Sequence, residues 1–199
     1  MSRIPLVNQD AMTPAQRRVY DAMLSGQRKS APVGPLAVAM HRPELAEAMS
    51  ALGLVLRFNS TFEPRLREFT ILTCGRHWDC QFEWASHEGE ARKAQLSETS
   101  IATLKAGGSV FAQDDEQAIY DYATELLTRR FAADATYQRV VTLFGIPGVV
   151  ELTGLIGYYA MVALMPCASC SKNRAGKQAR SAPASLARLA AKWAARRFL

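Results

Sequence analysis

Proline and glycine stand at the ends of segments whose apolar residues recur every three to four positions, and no stretch of this 199-residue chain alternates apolar and polar residues over a useful length. A half-buried strand needs period two and an amphipathic helix needs period 3.6. The pattern therefore predicts an all-α fold of about seven or eight helices. Thr13 followed by Pro14 reads as an N-cap and first helical residue, with the helix ending at Gly26. A second helix runs from Pro43, with Leu45, Met49 and Leu52 on one face, after a Pro-rich connector that holds His41. A third opens at Glu63 and Pro64, and DCQFEWASHEGEARKAQ follows almost at once. Ser97 opens a short helix that stops at Gly107 and Gly108. Three more are predicted: one through Ile119, Tyr122, Ala123, Leu126 and Leu127, one ended by Gly145, and one from about Pro147 to Met165.

The charge is unevenly placed. After Glu151 there is no Asp or Glu, while Lys172, Arg174, Lys177, Arg180, Arg188, Lys192, Arg196 and Arg197 follow, so the net charge of +6 is the balance of a +8 tail and a −2 body. A basic tail on a near-neutral body does not make a nucleic-acid-binding fold. Residues 1–166 are expected to form one helical domain and 167–199 a basic Ala/Arg-rich tail. That tail suits either an appended amphipathic helix, with Leu186, Leu189 and Trp193 on one face, or a non-native end.

Leu152 to Cys170 is 19 residues without a charge, but two glycines, a proline, two tyrosines and small polar residues interrupt it. A buried core helix is expected there, and no membrane span. The amino terminus lacks the apolar run of a signal peptide, and the four cysteines form no evident disulfide framework. A reducing, cytoplasmic setting is the expectation. Cys167 and Cys170 have redox spacing, and with Cys74 and Cys80 they are the raw material of a zinc site. No His or Glu stands near the pair and the spacing is unusual for zinc, so no metal is expected.

Polar residues interrupt an apolar face in CQFEWASH. On a helix, Cys80, Glu83 and His87 fall at i, i+3 and i+7, and Glu68 on the preceding helix could turn toward them. Two carboxylates, an imidazole and a thiol in a partly dry pocket can shift one another's protonation and serve as acid, base or nucleophile. The same residues also suit a buried apolar Cys beside an exposed Glu–His pair. Arg65, Arg67 and Arg76 are candidates to hold a substrate carboxylate, and Trp84 to wall the pocket.

LREFTIL (66–72), CQFEWASH (80–87) and ARKAQLS (91–97), followed by a short helix ending in Gly-Gly, resemble the carboxymuconolactone decarboxylase and alkylhydroperoxidase D superfamily. The resemblance implies a homo-oligomer, a trimer or hexamer, with no organic cofactor. In the peroxidase branch the pattern is Glu, eleven residues, Cys-x-x-Cys and a His four residues on; Glu68, Cys80 and His87 fall on it, but Glu83 replaces the second cysteine, so a dithiol cycle does not carry over. Glu83 and His87 match the decarboxylase arrangement instead. The resemblance therefore implies a small-molecule enzyme in which Glu83 and His87 transfer protons and Glu68 orients or relays. The alternatives are a single-cysteine peroxidase, using Cys80 and an external thiol reductant, and a non-catalytic oligomeric scaffold.

Overall fold

A computed structural model describes residues 4–169, and side chains as far as Met165. Among the described residues there are eight α-helices, one short 3-10 turn and no strand, so the all-α expectation holds. The side chain of Cys167, Cys170 and the basic tail lie outside the described residues. The chain divides into two compact units, one of residues 51–164 and one of the described residues up to Ser50 together with those from Met165 on.

In the terminal unit, α1 (Pro14–Ser25) begins as the sequence predicts. Thr13 Oγ1 accepts from the Gln16 backbone N–H while the Gln16 side chain accepts from the Thr13 N–H, a reciprocal capping box with Pro14 behind it. The helix buries Val19 and Met23, and Gln16 Nε2 donates to the Met40 carbonyl at 3.1 Å. The Pro-rich stretch contains a helix that the connector reading overlooked. α2 (Pro35–Ala39) starts at a proline in its first turn and buries Leu36 and Ala39. Five residues are too few to show a period, which is why it escaped notice. His41, beyond it, shares a 2.7 Å hydrogen bond with the Pro5 carbonyl.

α3 (Pro43–Phe58) has the predicted bounds but not the predicted face. Met49 is buried, whereas Leu45 and Leu52 are exposed; the interior line is Ala46, Met49, Ser50 and Leu56. Apolar residues occupy most of this helix's circumference, so periodicity alone offers two candidate stripes. Close packing selects the one with smaller side chains.

In the central unit, α4 (Pro64–His77) packs against α5 (Gln81–Lys93), α6 (Glu98–Ala106) and α7 (Asp114–Arg129). Surrounded in this way, it buries an unbroken run from Glu68 to Gly75. Thr70 and Thr73 are tolerated there because each hydroxyl donates to the carbonyl four residues back, at Leu66 and Phe69. The turn into α5 is tight. Cys80 N–H donates to Gly75 O at 2.8 Å and Asp79 N–H to Arg76 O at 3.1 Å, with Asp79 in the left-handed region at φ 47°. This is a Schellman closure with Asp79 in the place usually taken by glycine. At Gly75 the two helices meet closely, since a β-carbon there would lie 3.4 Å from Glu83 Cβ.

α6 carries the predicted caps, Ser97 at its start and Gly107 at φ 79° at its end. Arg65 of α4 is bound to Asp115 and Glu116 of α7, and Glu116, 1% exposed, also accepts from Ser100 of α6. This network ties three helices together and commits Arg65 to structure. α8 (Asp134–Ser169) runs through the two segments expected on either side of Gly145, which breaks it with φ 68° and ψ 176°. By length and composition, Asp134–Met165 could cross a membrane. Its buried residues include Leu152, Leu155, Tyr159 and Ala163.

Candidate active site

Four helices bring polar side chains to one interior point of the central unit: Arg57 from the last turn of α3, Arg67 and Glu68 from α4, Glu83 and His87 from α5, and Tyr159 from α8. Glu68, Glu83 and His87 are only 4%, 3% and 5% exposed. Their burial follows from the close α4–α5 hairpin, in which the i, i+4 face carrying Glu83 and His87 is turned onto α4.

His87 is held on both sides. Its Nδ1 lies 2.7 Å from Glu68 Oε2, and its Nε2 lies 3.7 Å from Glu83 Oε2 and 3.4 Å from Tyr159 Oη. Burial works against charge on Glu68, but the hydrogen bond and charge of His87, with Arg57 and Arg67, outweigh it and hold this carboxyl below its ordinary range. An ionised carboxylate only accepts, so Nδ1 carries the proton and donates it to Glu68. Nε2 is therefore the working nitrogen. Tyr159 meets the imidazole edge to face, with ring centres 5.4 Å apart. Burial raises its phenol well above its ordinary value, so it stays protonated and can donate toward Nε2.

The second carboxyl behaves oppositely. Burial raises Glu83, and although His87 and Arg57 pull it down, the nearby Glu68 charge adds to the rise. Among the described residues its Oε1 has no hydrogen-bond partner. Two carboxyls on either side of one imidazole are thus driven apart, Glu68 toward the anion and Glu83 toward the acid, as suits a division into orienting group and proton carrier.

Arg57 is partly buried, and burial opposes its charge. The pull of Tyr159, Glu68, Tyr158 and Glu83 more than compensates and raises its value. Its Nε–H has no acceptor among the described residues, nor does that of Arg67, which sits 3.7 Å from Glu68 Oε1. Leaving such a donor unsatisfied costs roughly 1–3 kcal/mol.

Cys80 is not inside the helix but is its N-cap, with extended dihedrals, buried one turn before Glu83. Arg76 pairs with Asp79 across the turn and is 42% exposed. Trp84 turns its ring toward α6, with Lys105 Nζ 5.9 Å from the ring centre. Cys74 is wholly buried, and burial, then Glu83, push its thiol up to about 12. Among the described residues no group of three or more His, Cys, Asp or Glu is arranged to hold a metal ion. Arg57 and Tyr159 escaped the sequence reading. The signal available was an arginine ending an apolar helix and a tyrosine inside a charge-free run, each a buried polar tip that needs a partner.

An open groove of about 470 Å³ lies at the start of α4, between Phe62, Leu66 and Phe144, and none of the clustered polar residues lines it. Comparisons of the chain with protein-family models, with characterised proteins and with solved structures find no match.

Proposed function

We propose that this protein is a small-molecule enzyme of the carboxymuconolactone decarboxylase type, acting on a carboxylated substrate by proton transfer through Glu83 and His87. The observation that carries the reading is the buried Glu68–His87–Glu83 line, in which the 2.7 Å bond to Glu68 orients the imidazole and aims Nε2 at a carboxyl that favours its acid form. In a decarboxylation the bond between the substrate carbon and its carboxylate breaks, carbon dioxide leaves, and the electron pair passes into an adjacent carbonyl as an enolate. Glu83, as the acid, gives its proton to the carbon, directly or by way of His87 Nε2, and solvent restores it. General acid catalysis of this kind contributes about 100- to 10,000-fold.

The test is a screen of small carboxylated lactones and keto acids on the purified full chain, repeated with Glu83→Gln and His87→Asn. Turnover lost by about 100-fold or more in both variants, at unchanged helical signal, supports the reading. Turnover unaffected by either variant overturns it, and a wild-type chain with no turnover across the screen favours the scaffold. The same reading carries a homo-oligomer, which sizing of the full chain in solution checks.

A further inference from the structure

The deep cluster carries more positive charge than its own residues neutralise. Arg57 and Arg67 both act on Glu68, and one carboxylate can balance only one guanidinium. Glu83, raised by burial toward its neutral acid form, does little to balance the second guanidinium. One guanidinium charge is left over. Among the described residues, the buried Nε–H groups of these same two arginines have no acceptor. A guanidinium edge of Nε–H and Nη–H matches the two oxygens of a carboxylate. Arg67 already lies 3.7 Å from Glu68 Oε1, whereas Arg57 makes no ion pair among the described residues, although the charges of Glu68 and Glu83 act on it.

We propose that Arg57 is the substrate anchor of this site, and that it selects a ligand with a single carboxylate, received on its unsatisfied Nε–H edge beside Glu83 and His87. The inference rests on the acid/base reading above for the identity of the site, and it adds the residue that binds and the charge of what is bound. A carboxylate placed there completes the hydrogen bonds of the guanidinium and matches the residual charge. A neutral isostere does the first only in part and the second not at all. A second carboxylate on the ligand finds no further unmatched cation in the cluster.

The experiment separates binding from turnover. Benzoate, benzamide and isophthalate are titrated into the full-length wild-type chain, followed by calorimetry and by the imidazole resonances of its three histidines. The expected result is that benzoate binds at least about tenfold tighter than benzamide, that isophthalate gains nothing over benzoate, and that the His87 resonance moves while those of His41 and His77 do not. Arg57→Gln should weaken benzoate about tenfold or more. Arg57→Lys, which keeps the charge but not the fork, should fall between. Equal affinity for benzoate and benzamide, no benzoate binding at all, or a His87 resonance that stays still overturns the proposal on the wild-type chain alone, so it remains decidable even where Arg57→Gln does not fold. Arg57→Gln that folds and binds benzoate as wild type does also overturns it. Benzoate binding through Arg57 in a protein that turns over no substrate would remove the enzyme reading and leave this one standing. Turnover of carboxylated substrates with affinity indifferent to Arg57 would do the reverse.

Discussion

His87 donates its Nδ1–H to Glu68 across 2.7 Å in an interior where both residues are no more than 5% exposed. That bond fixes the tautomer, turns Nε2 toward Glu83 and Tyr159, and makes the two flanking carboxyls unequal.

The carboxyls should leave separate marks on stability against pH. Glu68 is held below the 4.5 of an unburied glutamate, so the unfolded chain binds its proton first, and the stability Glu68 contributes is full above 4.5 and lost as pH falls through its lower folded value. Glu83 is raised above 4.5, so the folded chain keeps that proton longer, and stability is lost as pH rises from 4.5 toward its folded value. Glu83→Gln removes only the second effect. Denaturant melts of wild type and Glu83→Gln at pH values from 4.5 upward should therefore show the difference moving in the variant's favour; a constant difference would mean that Glu83 is not held as the acid.

Cys80 tests the peroxide alternative. If Glu83 and His87 do the chemistry, Cys80→Ser should change turnover of carboxylated substrates by less than about tenfold, far below the loss from removing a general acid. Consumption of an organic hydroperoxide in the presence of a dithiol, abolished by Cys80→Ser and accompanied by sulfenic acid labelling at Cys80, would instead assign the site to a single-cysteine peroxidase.

Gly75 sets the approach of α4 to α5. A β-carbon there would sit 3.4 Å from Glu83 Cβ and 3.7 Å from Trp84 N. Gly75→Ala should be close to neutral, because a contact at the edge of comfort is offset by roughly 0.5–1 kcal/mol of helix propensity. Gly75→Val adds two methyls to an approach already this close and should cost about 1–3 kcal/mol and displace Glu83. Thermal melts of the pair, with the activity of each, check both statements.

Removing Arg65 should be costly although it lies outside the site. Glu116, 1% exposed, would keep only the hydroxyl of Ser100. Breaking a buried pair by removing one partner costs about 3–5 kcal/mol. Arg65 keeps 23% of its side chain exposed, so Arg65→Ala is expected to cost roughly 2–4 kcal/mol by chemical denaturation. Arg65→Ala with Glu116→Gln should recover part of it.

Much of the secondary structure was legible because its determinants are local. Thr13 with Gln16, Ser97 with Ser100, and Gly107 in the left-handed region act within a few residues, and a cap read from sequence is the cap found in the fold. The grouping of Glu83 and His87 was legible for the same reason: i and i+4 share a face whatever surrounds the helix. Where locality failed, so did the reading. Of Leu45, Met49 and Leu52, expected on one face, only Met49 is buried, and α2 hid in a stretch too short to show a period.

The sequence by itself thus determined that the chain is helical, where most helices start and stop, and that Glu83 and His87 stand together. Only the tertiary structure decided that Glu68 meets His87 from another helix, that Arg57 and Tyr159 join them from two more, and that Cys80 caps α5 rather than lying within it. The physical reason is range. Backbone periodicity and capping are fixed within a turn or two, whereas the protonation of a buried carboxyl depends on which distant charges are packed against it and how far water is excluded.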